Sequence, residues 1–199
     1  MWARGCVMTH FNHDLTKPEK FREAILYVSQ KCETDPKFGM TKLNKILFYA
    51  DFIQFSRTGE SITGQSYQKL NFGPAPRAMK PVCDSMEAEK ELVVKGRHHY
   101  SFIQNKPIAL REPHLEVFSS SEIAIIDEVI EHVWRLSASE ISDASHGFIG
   151  WQIMDFGETI PYGLAWIDVE PEFTEAELET ISKLKPLSDE EKKNLQYRL

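Results

Sequence analysis

The sequence predicts an α+β fold that is mainly α: about five helices around a buried central helix, with a small antiparallel β-hairpin or three-stranded sheet. Three observations predict it. Between Thr41 and Gly59 the apolar side chains run round most of a helical cylinder. Two further windows, residues 18–31 and 121–136, carry apolar groups at three- and four-residue spacing. Residues 91–95 and 99–104 instead have strand character on either side of Gly96–Arg97, the pattern of a hairpin.

In chain order, residues 1–15 show no period and form a poorly ordered start. Thr16 is placed to cap the first helix, with Pro18 at an early position where its missing amide costs least. Phe21, Ala24, Ile25 and Val28 are the core stripe of that helix, which runs to about Lys31. A loop over residues 34–39 leads to Thr41, the expected N-cap of the central helix. There Leu43, Ile46, Leu47, Ala50 and Ile53 form a stripe that Phe48, Tyr49, Phe52 and Phe55 widen. Lys42, Asn44, Lys45, Asp51 and Gln54 are left as a thin polar edge, and Gly59 stops the helix. Residues 64–70 read as a short strand. Asn71 to Pro76 reads as a rigid corner that holds Phe72 against the core, because each proline fixes its own φ and restricts its predecessor. Residues 77–89 read as a return helix.

Residues 91–95 and 99–104 are expected to pair through a turn at Gly96–Arg97, with residues 65–70 as a third strand. Residues 105–118, with prolines at 107 and 113, read as a connector. A serine of the 119–121 cluster caps a helix whose stripe is Ile123, Ile126, Ile130, Val133 and Trp134. Ser139 is expected to cap a short helix, 140–145, that ends at Gly147, and residues 160–163 form a turn. The domain is bounded at 16–167. Residues 168–199 are an acidic helical extension with two short helices, at 174–184 and 188–197.

Composition describes a globular protein: 42% hydrophobic and 27% charged residues over 199, enough chain for one sizeable core. The formal net charge of -7 argues against duplex nucleic acid as a partner, since such binders need a basic face. Cys6, Cys32 and Cys83 are odd in number and widely spaced, which fits neither a disulfide framework nor a zinc site and suits a reducing compartment. No signal-peptide core and no run of the ~20 apolar residues that a membrane span needs is visible. A cytoplasmic protein without cofactor, metal or membrane contact is expected.

The order Lys42-Leu43, Lys45-Ile46-Leu47-Phe48-Tyr49-Ala50, then Gly64, Asn71-Phe72-Gly73-Pro74 and finally Ser145-His146 with Trp151 resembles the SocA-like, or Panacea, domain of antitoxins and phage-associated proteins. The resemblance covers roughly residues 18–166. It implies a protein-binding antitoxin that neutralises a cognate toxin, encoded by an adjacent reading frame, by direct contact. Some similar proteins also deliver the toxin to a housekeeping protease as an adaptor, which makes such a protease a second expected partner. The candidate partner-binding residues are Lys42, Lys45, Tyr49, Asp51, Phe72, Arg77, His146 and Trp151. The acidic tail departs from the family, and a helix-turn-helix module that some relatives carry is not visible, so operator binding is not implied.

Other chemistries are weighed on the residues themselves. Ser142-Asp143-Ala144-Ser145-His146 invites a hydrolase, with Asp143 and His146 three apart on one helical face. Ser145 and His146 are adjacent, so their side chains diverge, and no nucleophile elbow occurs; a helix-end histidine near the terminal carbonyls is the plainer reading. His98 and His99 point to opposite faces of a strand and cannot chelate one ion together, while His10 and His13 stand in the unpatterned start. Lys42 and Lys45 either solvate the rim of the central helix, pair with an acidic neighbour, or contact a partner. With Arg77 and Lys80 they are also the residues through which a regulator would touch nucleic acid. Asn71 to Pro76 lacks the successive amides of a phosphate nest. Phe148, Ile149 and Trp151 read as core or interface aromatics. No catalytic residue is assigned.

Overall fold

A helix with apolar side chains on every side has to be enclosed, and the second helix of this fold is. The computed structural model describes residues 17–99 and 102–167. The chain divides into two compact units, Met1–Asp168 and Val169–Leu199, and the description below concerns the first. The expectations for residues 1–15, for the Thr16 cap and for the two tail helices lie outside the described residues.

Among the described residues six α-helices form, α1 (Pro18–Lys31), α2 (Met40–Thr58), α3 (Met79–Ala88), α4 (Ser120–Val133), α5 (Ala138–His146) and α6 (Ile149–Ile153). On one side of α2, Leu43, Ile46 and Leu47 join Phe21, Ile25 and Val28 of α1, Ile126, Val129 and Ile130 of α4, Met86 of α3 and Ile141 of α5 in the main core. On the other side, Phe48 and Phe52 join Tyr67, Phe148, Ile160 and Ala165 in a second cluster. Phe148 stands edge-on to both Phe48 and Phe52, with ring centroids 5.3 Å away in each case, a favoured aromatic geometry. Burial of each such side chain is worth about 1.5–3 kcal/mol, so two cores on opposite faces explain why α2 is apolar nearly all round.

The strands form two sheets. β1 (Tyr67–Gln68) lies between β2 (Ala75–Pro76) and β5 (Thr159–Ile160), antiparallel to both. β3 (Leu92–His99) and β4 (Phe102–Ala109) make a two-stranded ribbon in register from Leu92 opposite Ala109 to His99 opposite Phe102. The ribbon corrects three expectations. Residues 65–70 do not join it, and it runs straight through Gly96–Arg97, where a turn was predicted. Pro107 stands inside β4 opposite Val94 rather than in a connector. A strand with only one neighbour has a free edge, where a proline's missing N–H leaves no bond unmade.

Two caps also move. α2 starts two residues early, on an extended Gly39 without a side-chain cap, rather than after Thr41. Ser137, not Ser139, caps α5, because only Ser137 stands three residues before Glu140: its Oγ accepts from Glu140 N at 3.2 Å and its N donates to Glu140 Oε2 at 2.6 Å. Of the 119–121 serines expected to cap α4, Ser119 does so, in the same box with Glu122. The αL conformation of Gly59, φ 78°, ends α2 where expected. Residues 149–153, which show no helical period of their own, form α6, and a 3₁₀ turn covers Tyr162–Trp166.

The loop before α2 and the C-terminus of α4 meet at Lys42, which is fully buried rather than solvated. Its ammonium pairs with Asp35 at 2.7 Å and donates to the carbonyl of Trp134, the C-cap of α4, at 3.0 Å and to that of Leu136 in the following turn at 2.9 Å. Removing one partner of a buried pair strands the other. Lys42→Met is therefore expected to lower unfolding free energy by about 3–5 kcal/mol in urea titration, with the loss partly recovered by Asp35→Leu in the same chain.

Candidate functional site

The eight residues singled out by sequence divide into an interior set and a surface set that share one turn. Lys42, Lys45 and Asp51 are buried. Lys42 and Asp51 are nine residues apart, about 2.5 helical turns, so they lie on opposite sides of α2 and cannot belong to one polar edge. The solvated-rim reading of both lysines is thus corrected.

Asp51 anchors the second core. Its carboxylate accepts from Thr63 N and Tyr67 OH, both at 2.7 Å, from Tyr162 OH at 3.3 Å, and from the Thr63 hydroxyl. Burial raises its pKa above the ordinary carboxylate range despite these donors. The same burial, with Asp51 beside them, pushes the phenols of Tyr67 and Tyr162 up. This convergence joins residues up to 111 apart, and no local spacing announces it.

Lys45 serves the turn over residues 71–76. Its ammonium donates to Pro74 O at 2.9 Å, and no carboxylate among the described residues forms an ion pair with it. Gly73 lies directly on the lysine: a Cβ there would fall 2.6 Å from Lys45 Cε and 2.1 Å from Ser145 Oγ. Gly73 also has φ 86°, the left-handed region that glycine enters without strain. Ser145, buried, turns its hydroxyl to Ser142 O at 2.6 Å. The turn is therefore seated on α2 and α5 from below.

The outer face of the turn differs from the prediction. Phe72 does not pack against the core; it is 72% exposed. Beside it, Trp151 donates from Nε1 to Leu70 O at 3.1 Å, and His146 stacks on the indole at 3.9 Å between centroids. Lys69 lies over the same indole, 4.4 Å from its centre, and donates to Met154 O at 2.9 Å. Lys69 and residues 157 and 158 exchange backbone bonds. The segment 151–158 thus runs beside residues 69–70, and it carries two more exposed apolar side chains, Ile153 and Phe156. Arg77 is exposed and bridges β1 to the strand end near Gly157 through Gln68 Oε1 and Thr159 Oγ1, each at 3.2 Å. Tyr49 is half-buried against Phe48.

The profile of the antitoxin SocA-like, Panacea domain family matches residues 43–152, more than half of the chain. The chain belongs to this family. No curated protein and no solved structure matches it. The Panacea match contains α2 from Leu43 onward, the Phe72 turn and Trp151, so the turn and its supports fall inside the region that defines the family. The family points away from enzymatic chemistry and toward a toxin partner in general.

The alternative chemistries gain no geometry. Asp143 is exposed, and neither a hydrogen bond nor an ion pair joins it to His146 among the described residues. His146 ends α5, stacked on Trp151, with its Nε2 buried and unpartnered. Of the four cations offered for nucleic acid, Lys42 and Lys45 are interior and Lys80 pairs with Asp84 at 2.8 Å. No cluster of three or more metal-ligating side chains occurs among the described residues, and no helix there is long and apolar enough to cross a membrane. Cys32 and Cys83 are buried free thiols whose pKa values burial pushes up, to about 12 and about 11.

Burial lowers the Lys45 pKa from 10.5 to about 7. Across that window the unfolded chain holds a proton that the folded chain lacks, so stability rises with pH, by at most about 1.4 kcal/mol per unit. Urea titrations between pH 7.5 and 9.5 are expected to show this slope in the wild type and to lose it in Lys45→Met.

Proposed function

We propose that this Panacea-domain protein is an antitoxin that neutralises its cognate toxin by direct contact, and that the face around Phe72 makes the contact. The observation that carries the reading is Phe72 itself: a large aromatic ring, 72% exposed, on a turn fixed from beneath by Lys45, Gly73 and Ser145. An exposed aromatic on a rigid support binds without a large ordering cost, and aromatic anchors dominate the energetics of protein interfaces. Ile153 and Phe156 widen the apolar surface, and Trp151, His146 and Arg77 border it with groups that are half-buried or polar. Among the eight candidates, Phe72, Arg77, His146 and Trp151 are the contact residues in this reading, Tyr49 packs half-buried on Phe48, and Lys42, Lys45 and Asp51 act by holding the fold.

The toxin is read as the product of an adjacent frame, and occlusion of its working surface is the mechanism. The overall charge of -7 favours encounter with a basic toxin. Delivery of the bound toxin to a housekeeping protease is an extension of the same reading, and both steps are placed in the cytoplasm. No residue is assigned a catalytic role.

Co-expression tests it. The adjacent frame is expected to arrest growth alone and to be harmless and co-purified when expressed with this chain. Phe72→Ala, with an unchanged melting temperature, is expected to weaken the complex about 30-fold or more, the loss of a hot spot worth at least ~2 kcal/mol. Wild-type affinity in Phe72→Ala and in Phe156→Ala would remove this face from the interaction.

A further inference from the structure

A groove of about 530 Å³ lies between α3 and the ribbon; it meets the Phe72 turn at Leu70 and Arg77, and its walls on α3 and the ribbon have no role assigned so far. Its apolar wall includes Met40, Leu70, Met79 and Val94, and its polar wall includes Asn44 and Asn105. Three features fix what it would take.

The first is a strand edge. In an antiparallel pair, alternate residues turn both backbone groups to the partner strand or both away from it. Val94 N is turned away from β4, because it donates to Glu87 Oε1 of α3 at 2.6 Å. Val94 O therefore faces the same open side, and so do the backbone groups of Gly96, two residues on. A carboxylate side chain holds one donor of this edge, and the others have no strand beside them.

The second is charge. The ions that line the groove are two cations, Arg77 and Lys80, and two anions, Asp84 and Glu87, so their charges sum to zero. An occupant gains nothing here from a net charge. The third is an unmet acceptor. Asn44 Oδ1 is buried with no hydrogen-bond partner, a state that costs about 1–3 kcal/mol. Its terminal torsion is soft, so a donor arriving in the groove can be met by the amide.

We propose that this groove takes an uncharged, extended segment of a partner protein, laid as a third strand along the free edge of β3. Only another extended backbone supplies donors and acceptors at the two-residue repeat of a strand edge, and its alternate side chains meet the apolar wall. Glu87 holds the edge donor until the segment replaces it, which also blunts an edge open to indiscriminate pairing. Asn105 stands opposite Gly96 and itself lines the groove. The inference does not rest on the toxin reading or on the Phe72 face.

The test is an amide NMR titration of the full chain with the capped peptide Ac-Thr-Val-Leu-Val-Thr-NH2, and with Ac-Glu-Val-Glu-Val-Glu-NH2 as the charged counterpart. Saturable shifts at Val94 and Gly96 and at the side-chain amides of Asn44 and Asn105 are expected, weaker for the charged peptide. Asn44→Leu is expected to weaken binding about tenfold, one lost hydrogen bond in an apolar wall. Val94→Pro, which removes an edge donor without touching the ladder to β4, is the second variant and is expected to weaken it likewise. Absence of saturable shifts, or shifts undiminished in both variants, would overturn the proposal. So would two other occupants: a nitroxide on Cys6 that broadens these resonances in the free protein would assign the groove to the chain's own start, and shifts that grow with protein concentration alone would assign it to a second copy.

Discussion

Three ionisable side chains inside α2 determine where the remote parts of this chain go. Placing a charge or a carboxyl in an apolar interior is costly unless specific partners meet it, so each of the three requires particular groups at particular places. Lys42 collects Asp35 and the carbonyls of Trp134 and Leu136. Lys45 collects the carbonyl of Pro74. Asp51 collects Thr63, Tyr67 and Tyr162. The apolar clusters on the two sides of α2 supply most of the driving force, but hydrophobic burial is non-directional. The polar contacts are what tie the 35 loop, the 74 turn and the 162 turn to single positions on the helix.

That arrangement has a functional consequence at the turn over residues 71–76. Lys45 and Ser145 hold it from the inside, Trp151 holds the strand that leads into it, and Phe72 is left projecting from a fixed base. A folded monomer gains little from exposing a phenylalanine to water, while a partner gains a large apolar anchor whose position needs no further ordering. The Panacea match contains α2 from Leu43 onward, the turn and Trp151, so the support and the projecting ring belong to the same defining region. The groove beside β3 is a different kind of surface, a backbone edge rather than a side-chain anchor.

Much of the fold was legible because its signals are local. The all-round apolar character of α2, a capping serine within residues 119–121 and Gly59 as a helix stop are readable within a few residues, and each stands in the structure as read. The family resemblance was legible for the same reason, from the order of short motifs along α2 and the turn. The misses are tertiary. Phe72 looked like a core residue because aromatic side chains usually are, and only the seating of Gly73 on Lys45 turns it outward. Lys42 and Lys45 looked like rim residues because isolated lysines usually are; their carbonyl and carboxylate partners come from up to 94 positions away. Pro107 looked like a loop residue because prolines disrupt central strands, and the ribbon's free edges remove that objection. Asp51 was visible as a polar exception on α2, but nothing nearby foretells two tyrosines closing on it.

Hydrogen–deuterium exchange of the full chain, free and bound to its toxin, tests most directly whether the face built on the α2 anchors is the working surface. The account predicts new protection on complex formation concentrated in residues 69–77 and 151–158, with the α2 amides already slow in the free protein. Protection confined to other segments, with residues 69–77 and 151–158 exchanging as fast in the complex as in the free chain, would contradict it.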